Sequence, residues 1–169
     1  MKIIEGLKDI KALTKKAHDL REKVSKYHAD FDHETSAYPN QRDQVAEWVQ
    51  SHHDTVKRIL ALKHLIKKTN IQVPVTITLG GVAVTRSISE WIDRRRELVS
   101  MEKALYASMN DRGLQEGTTT LSNGEKIVKK IRRHYDAQTR DKKLDEYNEE
   151  PHLIDAQLEI KNAVTDLIE

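Results

Sequence analysis

The chain has 169 residues, of which 33% are charged, 37% are hydrophobic and 5% are aromatic. Its 29 Lys and Arg nearly balance 27 Asp and Glu, which gives a net charge of +2. Nucleic-acid binders usually carry a larger basic excess, so we expect no nucleic-acid partner. The absence of cysteine excludes disulfides, thiolate metal sites and a cysteine nucleophile. No apolar run or signal-peptide pattern is present, so we expect a cytoplasmic protein without a membrane partner.

Two helical segments fill residues 1–70. Apolar residues recur at alternating steps of three and four from Ile3 onward and again from Val45 onward, which is the pattern of a coiled-coil seam. Pro39 separates the two seams, because the residue before a proline avoids helical geometry. Helices joined by so short a loop are predicted to fold back as an antiparallel helical hairpin.

The stretch VTITLGGVAVTR at 75–86 alternates apolar and polar residues around Gly80-Gly81 and predicts a β-hairpin over 71–86. We interpret the glycines as a turn and not as a phosphate loop, because a second strand follows them in place of a helix N-terminus. An isolated hairpin is only marginally stable in water. We therefore predict that it forms an assembly interface of a homo-oligomer, comprising Val75, Ile77, Leu79, Gly80, Gly81, Val82 and Val84.

A capping box, SISE, is predicted to open a third helix over 87–112. Regular α-helical spacing then predicts which of its apolar residues are buried. They are Ile88, Trp91, Ile92, Leu98, Leu105 and Met109.

A second hairpin and a last helix complete the predicted order. Three threonines before an Asn-Gly pair predict the hairpin over 117–133. The C-terminal helix is predicted over 136–168, with a disturbance at Pro151. The predicted fold class is mainly α with a small β component. It is a single domain, an elongated antiparallel helical bundle or coiled coil of about four long helices that carries two β-hairpins.

Histidine and aspartate residues near the loop of the helical hairpin suggest a metal site. His28 and Asp32 are four residues apart on one helix face, and folding near 38–39 brings them level with His52 and His53. Two histidines and a carboxylate suit Zn²⁺ or Fe²⁺; the alternative is a satisfied core histidine beside solvated side chains. Because no compact motif such as HExxH occurs, we expect no cofactor and keep a divalent metal as the alternative.

Two basic clusters provide candidate anion-binding residues, because paired guanidinium groups hold carboxylate or phosphate in bidentate fashion. The alternative is solvated faces and intersubunit ion pairs, which the interleaved acidic residues favour. The single phenylalanine of the chain provides no platform for stacking RNA bases. The candidates are Arg94, Arg95, Arg132 and Arg133.

Four stretches of the sequence carry a family resemblance. They are MKIIEGLKDIKAL at the start, TNIQVPVTITLGGVAVTRSISEWIDRRREL at 69–98, DRGLQEGTTTL at 111–121 and IRRHYD at 131–136. Together they resemble a family of small bacterial proteins labelled septicolysin-like, which implies a bacterial, intracellular protein and brings no catalytic residues with it. The label implies a pore-forming cytolysin, but the sequence lacks the export signal and the long amphipathic strands of such a toxin.

The residues together predict a non-enzymatic, self-assembling helical protein that forms a homo-oligomer. One alternative is a holdase-like chaperone or scaffold, because helical seams joined to β-hairpins are similar in layout to prefoldin-type subunits. A second alternative is a metal-dependent enzyme that uses the cluster of histidine and aspartate. A cytolysin is implied by the family label alone.

Overall fold

A computed structural model of the protein describes residues 1–168. It is mainly helical and carries two antiparallel sheets of two strands each, which confirms the predicted mix of helices and hairpins. The helices are α1 (Ile3–Tyr27), α2 (Gln41–Gln72), α3 (Ile88–Asp93), α4 (Val99–Ala107) and α5 (Ala137–Val164). The strands are β1 (Pro74–Leu79), β2 (Val82–Ser87), β3 (Gly117–Thr120) and β4 (Lys126–Lys129). A π-helical segment, Arg94–Leu98, connects α3 to α4.

The described residues divide into two compact units. The first unit contains residues 1–74, 87–89 and 158–168, and the second contains residues 75–86 and 90–157. Helices α1 and α2 form most of the first unit. The second unit holds both hairpins, the helix around the π-helical segment and most of α5.

Helices α1 and α2 lie side by side and antiparallel in the first unit. Near the start of α1, Gly6 lies against Ile66 close to the end of α2. At the other end, the rings of Tyr27 and Trp48 are 5.7 Å apart. Tyr38 of the connecting loop packs edge-on against both of these rings, with centroid distances of 5.2 and 5.4 Å. The aromatic cluster therefore closes the loop end of the helical pair.

The two ends of the described chain meet in the first unit. Lys2 and Asp166 form an antiparallel bridge, and the Lys2 Nζ lies 2.5 Å from the Asp166 carboxylate. The N–H of Ile168 donates to Thr69 Oγ1 at 2.9 Å, and that hydroxyl donates to the carbonyl of Leu65 at 2.8 Å. Thr69 is fully buried, so one hydroxyl links the C-terminal segment to α2 away from water.

Thr69→Val is expected to lower the free energy of unfolding by about 1–3 kcal/mol, because it leaves the Ile168 N–H without its acceptor. Urea denaturation followed by circular dichroism measures the loss. Thr55→Val is the matched control, since Thr55 is also buried and donates to the carbonyl four residues back without joining the C-terminal link. Equal losses in the two variants would show that the Ile168 hydrogen bond contributes nothing.

The first hairpin turns at Gly80-Gly81, as predicted. Both glycines have positive φ, +56° and +85°, which are the signs of a type I′ turn. The hydroxyls of Thr76 and Thr85 lie 2.7 Å apart, which is the cross-strand pairing that a two-residue turn at this place requires. Val75 and Ile77 are buried, so the apolar face of β1 is covered within the chain.

Gly81→Val is expected to destabilise the protein by about 1–2 kcal/mol, the cost of the left-handed conformation for a residue with a Cβ. The loss comes from the backbone alone, because a Cβ at this position would meet no atom within 4 Å. Gly81→Asn is the control and should retain more stability, since asparagine adopts positive φ more readily. A thermal melt that ranks the asparagine variant below the valine variant would contradict this account.

The π-helical segment shifts the buried face of its helix by one residue. In a regular α-helix Trp91, Leu98 and Leu105, spaced by seven, would share a face. A π turn adds one residue, and Val99 takes the inward position predicted for Leu98. Leu98 is 41% exposed and Leu105 is 59% exposed. The prediction that these two leucines are buried is therefore wrong.

The second hairpin lies within the range predicted for it. Its strands pair antiparallel, from Gly117 opposite Lys129 to Thr120 opposite Lys126, and the Asn-Gly pair lies in the connecting loop. All four residues of β4 are exposed. This hairpin, unlike the first, therefore has no strand buried in the core.

Helix α5 begins after Asp136, whose carboxylate accepts the N–H of Thr139 at 2.9 Å. It continues through Pro151, where the predicted disturbance does not end the helix although proline contributes no N–H. The residues after Val164 leave the helix and bond to the N-terminal segment. The helix therefore ends before its predicted boundary.

Candidate functional site

Arg94 and Glu150 form a buried ion pair in the second unit. Arg94 begins the π-helical segment and Glu150 lies in α5, with side chains 12% and 5% exposed. The Nε and Nη2 atoms of Arg94 donate to the two carboxylate oxygens of Glu150, with 2.9 Å between Nη2 and Oε2. Such bidentate, charge-assisted pairs are among the stronger hydrogen bonds in proteins.

Glu102 and Tyr147 extend the pair into a polar network. The Nη2 of Arg94 also donates to Glu102 at 3.0 Å, and this hydrogen bond lowers the pKa of the Glu102 carboxyl. Burial, followed by the hydrogen bond with Glu102, raises the pKa of Tyr147 to about 12. The carboxylate therefore keeps its charge and the phenol keeps its proton at neutral pH. Neither group is suited to proton transfer, which needs a pKa near the working pH.

A cavity of about 210 Å³ lies beside this network. Gly80 of the first hairpin is at its wall, where a Cβ would come within 3.5 Å of the Glu146 carboxylate. That carboxylate accepts a 2.6 Å hydrogen bond from Lys143, which lowers the pKa of Glu146. Ligand pockets are commonly about 300–1,000 Å³, so this cavity is small for one. Four of its charged wall residues form two ion pairs, Arg94 with Glu150 and Lys143 with Glu146.

Trp91 fixes the first hairpin to the helix that follows it. The indole is fully buried and donates from Nε1 to the carbonyl of Val75 at 2.9 Å. The Arg86 guanidinium lies 5.5 Å from the ring centroid, a cation–π distance. The Arg86 Nε is buried without a hydrogen-bond partner in the described part of the chain. The buried Trp91 indole therefore holds the first hairpin against a helix of the same subunit.

This packing buries some residues of the predicted assembly face of the first hairpin and leaves others exposed. Val75 and Ile77 are buried, Leu79 and Val84 are half-buried, and Val82 is exposed. The two glycines form the turn. Val82 is therefore the residue of this face most accessible to a second copy, and its role in assembly stays a prediction.

The residues of the predicted metal site lie in the first unit without converging. Helix α1 ends at Tyr27, so His28 and Asp32 share no helix face, and Asp32 is fully exposed. The rings of His52 and His53 contact each other at 6.1 Å. Within residues 1–168, no three His, Asp or Glu side chains are grouped closely enough to hold one metal ion.

Three of the four predicted anion-binding arginines pair with carboxylates of their own chain. Besides Arg94, Arg95 binds Asp155 of α5 at 2.9 Å, and Arg133 binds an aspartate at 2.6 Å. Arg132 is exposed. Arg94 and Arg95 of the π-helical segment are thus occupied within the subunit, and Arg132 is the predicted residue most accessible to an anion.

Sequence reasoning missed Glu150, Glu102 and Tyr147. Glu150 lies 56 residues from Arg94, and no local pattern signals a pairing over that separation. One signal was present, because Glu150 shares a helical face with Tyr147 and the fully buried Ile154. An acidic residue at an inward position requires a buried cationic partner.

Comparisons with known proteins indicate the fold and no activity. No family model and no curated protein matches the chain. A functionally unknown conserved protein from Corynebacterium diphtheriae is similar in structure, with a TM-score of 0.56 and 18% identity over 99% of each chain. Likeness at that identity shows the fold alone. In the described part of the chain, no helix is both long and apolar enough to cross a membrane.

Glu150→Ala is expected to lower the free energy of unfolding by up to about 3–5 kcal/mol, because the buried Arg94 loses its bidentate partner and keeps only the more exposed Glu102 against its charge. The matched control is Asp155→Ala, which breaks the exposed Arg95 pair on the same helix and should cost about 1 kcal/mol or less. Urea denaturation measures both. The double variant Arg94→Met with Glu150→Leu should recover most of the loss. Small, equal losses in the single variants would contradict a stabilising role for the buried pair.

Proposed function

We propose that the protein is a non-enzymatic, self-assembling helical interaction protein whose copies pair through α4. An exposed apolar stripe carries this proposal: Leu98, Met101 and Leu105 are 41%, 61% and 59% exposed. Leu98 ends the π-helical segment directly before α4, which contains the other two residues. Their spacing of three and four residues places all three on one helix face, here called the α4 stripe. Exposed apolar residues that form one continuous patch are typical of protein interaction sites.

The α4 stripe is complementary to a second copy of itself. In an antiparallel pair, Leu98 of one copy faces Leu105 of the other, and the Met101 side chains lie near the centre. Ser100 and Ala104 beside the stripe are small, which lets two helices approach closely. A second copy is therefore the occupant that the stripe favours.

The buried network of the second unit supports a structural role over an enzymatic one. Arg94 is held by two carboxylates, the pKa of Glu102 is lowered, and the pKa of Tyr147 is raised to about 12. The Glu102 carboxyl thereby keeps its charge and the Tyr147 phenol keeps its proton at neutral pH. That arrangement suits a scaffold, since a catalytic acid or base must change its protonation state.

A holdase-like chaperone is the second candidate, and a separate apolar stripe on α2 favours it. The exposed residues Val49, Val56, Leu60 and Ile71 lie on one helix face. Suppression of the aggregation of an unfolding client, lost in Val56→Glu with Leu60→Glu, would support this function. The septicolysin-like relationship, the cytoplasmic location and the metal-dependent enzyme stay predictions.

Met101→Glu with Leu105→Glu is expected to reduce the protein to monomers, because it places four carboxylates in the contact of two α4 helices. Native mass spectrometry and sedimentation over a range of concentrations measure the assembly. Val56→Glu with Leu60→Glu is the control, with the same charge change on α2, and should leave the mass unchanged. Val82→Asp tests the first hairpin in the same assay.

Far-UV circular dichroism of each variant shows whether its helices persist. A wild-type protein that is monomeric at every concentration would overturn the proposal. An unchanged assembly of the Met101→Glu, Leu105→Glu variant would exclude α4 as the contact. If Val82→Asp dissociates the assembly and the α4 variant does not, the contact between copies lies at the first hairpin and not at α4.

A further inference from the structure

A second cavity of the second unit, with a volume of about 320 Å³, lies where the loop after α4 meets the segment after β4. It is lined by residues 108–112 and 114 of the loop and by residues 131–135 of the segment. Its volume falls within the common range of ligand pockets, about 300–1,000 Å³. The cavity beside the Arg94 network is smaller, so this one is better suited to hold a ligand.

Arginine side chains fix the loop to the segment. Arg133 donates from Nε and Nη2 to the two carboxylate oxygens of Asp111, at 2.7 and 2.6 Å. Arg140 of α5 donates from Nη1 to the carbonyl of Met109 at 2.8 Å and to the hydroxyl of Tyr135 at 3.3 Å. Both arginines thus join one segment to the other, and the cavity is formed by contacts within the second unit.

The lining of this cavity has an excess of positive charge. Its charged side chains are three arginines and one aspartate, a net charge of +2 with His134 neutral. Both carboxylate oxygens of the aspartate already accept hydrogen bonds from Arg133. Arg112 and Arg132 are exposed, and neither forms an ion pair with a carboxylate among residues 1–168. Two guanidinium groups at the cavity are therefore available to an anion.

Charge distinguishes this cavity from larger cavities of the first unit. A cavity of about 420 Å³ on α1 and α2 is lined by one lysine, one arginine, one glutamate and one aspartate, whose charges cancel. Another, of about 520 Å³ near the loop of the helical pair, has one arginine and two aspartates. A third, of about 420 Å³, has two lysines and two carboxylates. Of these four cavities, the one at residues 108–135 is the one whose lining attracts an anion.

We infer that this cavity binds a small molecule that carries a phosphate monoester. A phosphate monoester has a charge of about −1.5 to −2 at neutral pH, which matches the net charge of the lining, whereas a carboxylate supplies one negative charge. Guanidinium groups hold phosphate oxygens in bidentate fashion. Met109, Leu114 and Ile131 also line the cavity and provide apolar contacts for the organic part of the ligand.

The backbone at Arg112 agrees with a binding role. Its φ is +54°, and within residues 1–168 it is the one residue other than glycine with positive φ. Its N–H donates to the Asn110 side chain at 2.8 Å, which holds the turn. Non-glycine residues in this conformation are concentrated at functional sites. Asparagine adopts positive φ more readily than most residues, so Arg112→Asn removes the charge and suits the turn.

Isothermal titration calorimetry of the full chain with phenyl phosphate, phenyl sulfate and inorganic phosphate tests this inference. Phenyl phosphate should bind most tightly, because phenyl sulfate carries a single charge on the same ring and inorganic phosphate has no organic part. Arg112→Asn with Arg132→Gln is expected to weaken phenyl phosphate binding at least about tenfold, the loss expected for one charge-assisted hydrogen bond. Arg112→Lys with Arg132→Lys keeps the charge and should retain more of the affinity.

Arg21→Gln with Arg96→Gln is the matched control. Both arginines are exposed and lie outside the cavity, and the variant loses the same number of charges. It should bind phenyl phosphate as tightly as the wild-type protein does. Far-UV circular dichroism shows whether the helices of each variant persist.

Four results would overturn the inference. The first is no binding of phenyl phosphate to the wild-type protein, and the second is equal weakening in the control variant. The third is equally tight binding of phenyl sulfate, which would show that the double charge is not recognised. The fourth is equally tight binding of inorganic phosphate, which would assign the cavity to the free ion. The α4 stripe is unchanged in all of these variants, so the assembly mass reports separately on self-assembly.

Discussion

The pairing of Arg94 with Glu150 is the interaction on which the second unit depends. A charge transferred from water into a protein interior is costly unless a partner of opposite charge is held against it. The pair joins the π-helical segment to α5, and Glu102 accepts a further hydrogen bond from the Nη2 of the same guanidinium. The geometry of these three side chains therefore requires the two helices to stay in one relative position.

The π-helical segment determines both the position of this buried pair and which side chains of the same helix are exposed. The one extra residue in its turn directs Val99 inward and leaves Leu98 and Leu105 outside. The same local feature thus places Arg94 at the ion pair and produces the apolar stripe of α4. Inserted π turns are frequent at functional positions, which agrees with an interaction surface beginning at this point of the helix.

Local patterns predicted the helices and both hairpins, because periodicity and turn residues act over a few positions. The Gly80-Gly81 turn and the Asn-Gly loop follow from such signals. The exposure of Leu98 could not be predicted, because a π turn has no sequence pattern comparable to the α-helical period. The Glu150 partner could not be predicted either, since its contact joins residues far apart in the chain. The predicted metal site placed His28 and Asp32 on one helix face, which would require α1 to continue beyond Tyr27, where it ends.

The placement of the two tryptophans has a practical consequence. Trp48 lies in the first unit beside two tyrosines, and Trp91 lies in the second unit beneath an arginine cation. The chain contains two tryptophans in all, so each unit carries its own intrinsic fluorophore. Trp48→Phe and Trp91→Phe proteins would each emit from one unit only. Their emission during denaturation would show whether the two units unfold in one cooperative step or in sequence.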